Sequence, residues 1–160
     1  MLRTVLAVVV SFLALNLGVM VLFLVSVLAL GIEGTLRPGS YWTSTVFNMV
    51  VVIGGAVIAL LSGALCGVIG RSVRPALVVA GAMLAFGMFG AVRNLNKADP
   101  PARPAPNAGE SDSDYRMRVL KDMQTVGKEP TWFAFSVPAI GAGAVVLGAW
   151  LVARGTSGRK

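Results

Sequence analysis

Residues 46–69 read VFNMVVVIGGAVIALLSGALCGVI, without one charged side chain. At about 1.5 Å per residue, a helix of this length reaches roughly 36 Å, more than the ~30 Å hydrocarbon thickness of a bilayer. A surface helix of a soluble domain keeps a polar face, and this segment has none. The stretch therefore predicts a membrane span.

Three more runs of the same kind surround it. Thr4 to Leu30 is interrupted only by Ser11, Asn16 and Ser26. Ala29-Leu30-Gly31 loosely fits a leader cleavage site, but the run is longer than the ~7–15 apolar residues of a secretory signal, so it is read as an uncleaved helix. Residues 76–92 follow the tight connection GRSVRP, in which Pro75 suits the first turn of a helix. Residues 133–152 lie between Trp132 and Arg154, with Trp150 near their end. The fold class expected is an all-α integral membrane protein, a single domain over 1–160 built as a four-transmembrane-helix bundle with spans 4–30, 46–69, 76–92 and 133–152. Gly31, Gly34, Pro38 and Gly39 make the first connection a turn region, and its Tyr41-Trp42 pair suits a membrane interface.

Composition agrees with this and removes several chemistries. The chain has 160 residues, 56% of them hydrophobic, against about 45–50% in soluble domains. Its mean hydropathy is +0.78. A single cysteine, Cys66, allows neither an internal disulfide nor a C-x-x-C pair. The absence of histidine removes the usual axial ligand of membrane haems, the commonest zinc ligand and the default general base. The net charge of +7 comes from Lys and Arg at the ends of apolar runs, which points to lipid headgroups and not to nucleic acid. No cofactor or metal is expected.

The long polar segment, 93–131, is expected to lie outside the membrane. Its prolines at 100, 101, 104 and 106 make 99–106 an extended spacer. Ser111 and Asp114 then have the spacing of a helix start, and Gly127 that of a stop, so a short amphipathic helix is expected over 113–126. Tyr115, Val119, Met123 and Val126 fall on one side of it, with Leu120 at the margin, and this face is assigned to a partner or to the membrane surface. Glu110, Asp112 and Asp114 are read as helix-start carboxylates and not as an acid–base pair or a cation site.

Within the spans the informative residues are small or polar. Gly55, Ala59, Gly63 and Gly67 recur every four residues, beside a second ridge of Ser62, Cys66 and Gly70. Small residues at this spacing let helices approach closely in lipid. Such a ridge serves either an oligomer interface or a helix central in its own bundle, with Ala144 and Gly148 of the last run among the matching surfaces. Asn16 is expected to hydrogen-bond across to another helix, and Cys66 to be an inert packing residue. No ionisable side chain lies inside a span, as a proton relay or ion-coupled carrier would need.

Arg3, Arg71, Arg74, Arg154, Arg159 and Lys160 fall on one side of such a bundle and all seven acids on the other. This favours cytoplasmic termini in an inner membrane and an outward polar segment. The function expected is that of a non-catalytic accessory, scaffolding or assembly subunit, in contact with the lipid bilayer and with a membrane-protein partner or another copy of itself. The alternative is a passive pore or carrier for a small neutral or lipid-like solute.

Overall fold

The computed structural model describes residues 2–157. Arg159 and Lys160, which entered the orientation argument, lie outside that range. Among the described residues there are five helices and no strand: α1 (Leu2–Thr35), α2 (Thr45–Gly70), α3 (Arg74–Leu95), α4 (Asp112–Val126) and α5 (Thr131–Ser157). Four of them, all but α4, are long and apolar enough to cross a membrane.

Local chemistry explains where these helices begin and end. Ser44 caps α2, its Oγ accepting from the N–H of Phe47 at 3.1 Å. At the other end of α2, Arg71 takes a left-handed conformation (φ 51°) and its N–H closes the last turn on the Gly67 carbonyl. Pro75 then stands in the first turn of α3, where no helical acceptor exists for the N–H it lacks. The first helix outlasts the expected span. It breaks at Gly31 (φ 63°, ψ −173°) and resumes for one turn to Thr35, whose Oγ1 donates to the Gly31 carbonyl at 2.6 Å. Only glycine adopts that backbone without strain, so the break sits where a side chain is missing.

The long helices pack in the order α1, α2, α5, α3, with α1 and α3 touching lightly to close the ring. The central seam is α2 against α5. A Cβ built on Gly63 would overlap the Val145 carbonyl, one on Gly148 would overlap the Leu60 carbonyl, and one on Gly67 would stand 2.9 Å from the Ala149 oxygen. These helices therefore meet backbone to backbone, the close approach that small residues permit. Around the seam Ala7, Leu15, Ala59, Cys66, Ala76, Val79, Val145 and Ala149 form the buried core. Gly87 of α3 takes the ring of Pro138, a proline accommodated inside α5.

Candidate functional site

The feature that departs most from an ordinary bundle is the polar segment, which folds back as a cap on the end of the molecule opposite the chain termini. α4 begins where Ser111 accepts from the Asp114 N–H at 3.2 Å while its hydroxyl donates to Asp114 Oδ2 at 2.7 Å. Its Val119 is fully buried against Ile32, Leu36 and Tyr41, with Tyr115, Met123 and Val126 packed beside them. Leu120 is half-buried at the margin.

The face assigned to a partner or the membrane surface is thus turned onto the chain's own first loop. The reason lies in that loop: Leu36 and Tyr41 present apolar surface, and α4 supplies a matching stripe. Tyr41 is correspondingly no interfacial anchor, being 2% exposed, and its hydroxyl donates to Asp122 Oδ2 at 3.0 Å. Burial first, and then that hydrogen bond, push the Tyr41 phenol above its ordinary value.

Backbone pairing extends the cap. Residues 36–43 turn back through Gly39 (φ 64°), Leu36 bridging Thr43. Ser40 pairs with Ala102 of the proline spacer, and Trp42 with Lys128 just after α4. The Trp42 ring carries the Arg37 guanidinium at 5.9 Å and the Lys128 ammonium at 5.3 Å. Ion pairs Arg103–Glu33 (2.6 Å) and Lys128–Asp99 (3.0 Å) close the edges. Asn94, at the end of α3, clamps the strap before α5: its Nδ2 donates to the Glu129 carbonyl at 2.8 Å and its Oδ1 accepts the Glu129 N–H at 3.2 Å. Asn94 was not singled out from the sequence; an amide in the last turn of an apolar run was the available signal.

The acidic cluster is engaged in holding this cap. Arg118 grips Glu110 with Nε–Oε1 at 2.9 Å and Nη2–Oε2 at 2.7 Å. That guanidinium, with the Asn107 N–H, holds the Glu110 carboxyl down at about 2, so near neutral pH it is a fixed anion and a poor proton acceptor. Asp112 and Asp114 occupy the first turn of α4, where carboxylates favour the helix dipole. No group of three or more metal-ligating side chains occurs among the described residues.

The ridge residues separate into two sets. Ala59, Gly63 and Gly67 are buried, and Gly63 and Gly67 meet α5 at Val145 and Ala149, while Gly148 of α5 meets Leu60 and Ala64. Ala144 lies against the core. Gly55 is not part of the seam, since a Cβ there meets nothing within 4 Å. Asn16 also departs from expectation: it is exposed, and its Nδ2 donates to the Phe12 carbonyl of its own helix at 2.7 Å, not to a neighbour. The interhelical polar bond runs instead from Ser62 Oγ to the Ser11 carbonyl, at 2.7 Å and buried. Cys66 is fully buried in the core. An apolar groove of about 570 Å³ lies on the outer surface between α1 and α2, lined by Leu22, Met49, Ile53 and Gly54.

No family model matches this chain, and no curated protein or solved structure matches it either.

Proposed function

We propose that the chain is a non-catalytic integral membrane protein that works as an assembly or scaffolding subunit, spanning the bilayer with α1, α2, α3 and α5. The observation that carries this is the division of its surfaces. The polar chemistry is gathered into a cap in which Glu33, Asp99 and Glu110 are ion-paired and Asp112 and Asp114 start α4, while the outward faces of the long helices, with Phe86 of α3 71% exposed, are apolar apart from Asn16 and open to other proteins in the membrane. The core around Ala59, Cys66 and Val145 is filled by side chains, which argues against a solute path through a single copy.

The orientation proposed places the termini and the 71–74 connection in the cytoplasm and the cap outside. Arg3, Arg71, Arg74 and Arg154 share one end of the bundle, Arg154 lying 3.7 Å over the Trp150 ring as an interfacial anchor. The cap side holds eight Lys and Arg against six, but mixed with all seven acids, and the orientation proposed rests on the acid-free short connection and terminal flanks.

Extraction in a mild detergent, with sizing and identification of copurifying proteins, tests the reading. An assembly larger than one chain is expected. A monomer with nothing attached overturns it, and solute flux through reconstituted vesicles replaces it with a passive carrier.

A further inference from the structure

Exposed polar side chains of the long helices cluster at the helix ends, and most of the others are hidden, with Ser136 half-buried. Ser11, Ser26, Asn48, Ser62 and Asn94 are all buried. Asn16 is the reverse, the most polar side chain of α1 between its ends and turned outward. An amide offers two N–H donors and a carbonyl acceptor, and the bond to Phe12 uses one donor. The remaining N–H and Oδ1 face whatever covers α1.

The depth of Asn16 makes this consequential. Gly18, two residues on, packs against Ile58, near the midpoint of α2 (Thr45–Gly70). Asn16 therefore sits near mid-bilayer in the proposed insertion. A side chain this short cannot reach either headgroup layer, roughly 15 Å away. Hydrocarbon offers the amide no partner, and unsatisfied polar groups there are costly.

The surroundings of Asn16 fit a helix as the covering body. Leu6, Val9, Leu13, Asn16 and Met20 recur at alternating spacings of three and four, and Leu13 and Met20 are 62% and 65% exposed. That alternation lets two helices interdigitate at a shallow left-handed crossing. An acyl chain covers such a stripe equally well but brings no hydrogen-bonding group to its middle. A second copy of this chain brings one at the same depth by symmetry, because in a two-fold contact about the bilayer normal each residue on the axis meets its own counterpart.

We infer that two copies of this chain pair along the outward face of α1, the Asn16 amides exchanging N–H···O=C bonds at the centre of the contact. The inference rests on the assembly reading above and names the partner as a second copy. The outward position of Asn16 leaves the core of each copy undisturbed, so pairing alters no contact within a copy.

The test uses the full chain with Cys66→Ala, so that an introduced thiol is unique, reconstituted in phospholipid vesicles. Met20→Cys lies on the stripe, and Val21→Cys lies at the same depth but about 100° further around the helix. Oxidation is expected to join copies through residue 20 and not through residue 21. Asn16→Leu is expected to weaken self-association, read by energy transfer between labelled copies on lipid dilution, about tenfold, equivalent to ~1.4 kcal/mol. Asn16→Gln should retain most of it, and unchanged thermal melting of both variants shows that each copy still folds. Equal cross-linking at 20 and 21, or an Asn16→Leu variant that associates like the parent, overturns the inference. A chain that binds a different membrane protein but never itself sinks the self-pairing and leaves the assembly reading intact; a chain that binds nothing sinks both.

Discussion

Gly55→Ala and Gly63→Ala are the same change on the same helix, two turns apart, and they should act in opposite directions. At Gly63 the new Cβ would stand 2.6 Å from the Val145 carbonyl carbon and 2.7 Å from its Cα, and would overlap the oxygen. These are backbone atoms, so no rotamer change relieves the overlap and α2 must move off α5. Overpacking of this kind costs about 1–3 kcal/mol, and a rigid obstacle belongs at the upper end. Replacing a helical glycine returns about 0.5–1 kcal/mol through lower chain entropy, leaving Gly63→Ala destabilised by roughly 2 kcal/mol. Gly55 has no atom within 4 Å of that position, so only the favourable contribution applies and its variant should gain about 0.5–1 kcal/mol. Unfolding of both variants in detergent micelles, followed by circular dichroism, should separate them by about 2–3 kcal/mol. If Gly63→Ala is as stable as the parent, or if the two variants shift together, the backbone seam is not what joins α2 to α5.

Asn94→Ala removes both bonds to the Glu129 backbone and should cost about 1–3 kcal/mol, with faster amide hydrogen exchange at Glu129; unchanged exchange there would refute the clamp. Tyr41→Phe deletes one hydrogen bond to Asp122, worth about 0.5–1.5 kcal/mol, and should raise the rate of protease cleavage in the 99–110 spacer while leaving the melting of the long helices little changed. The Glu110 carboxyl is lowered from 4.5 to about 2, so its pairing with Arg118 stabilises the cap fully above pH 4.5 and the contribution is lost as pH falls through about 2. Glu110→Gln should remove that acid-dependent component from the exchange of α4 amides, and an identical pH profile in the variant would exclude the pair as its source.

The long helices and α4 were legible because their signals are local. Unbroken apolar runs mark the first, and Ser111 with Gly127 brackets the second. Rotational phase was not legible. A helix apolar on all sides has no amphipathic pattern to say which side faces inward, so nothing around Asn16 distinguished an inner from an outer position. The same blindness placed Gly55 with Gly63 and Gly67, because spacing marks a ridge but not where a neighbouring helix crosses it. The docking of Val119 on Leu36 and Tyr41 joins segments far apart in the chain, and only the odd concentration of apolar residues in the first loop hinted at it. Those residues also suit a membrane interface, the competing explanation that local reading favours.

The reach of the cap along the chain also sets a timetable. Tyr41 meets Asp122 across a separation of 81 residues. At about 5–20 residues per second of synthesis, the first loop is made roughly 4–16 s before the helix that covers it. During that interval Ile32, Leu36 and Tyr41 stand uncovered on the nascent chain, while α1 and α2 can already pair through Gly18 and Gly54. Biogenesis of this protein thus has a built-in waiting period, ended by the arrival of Val119.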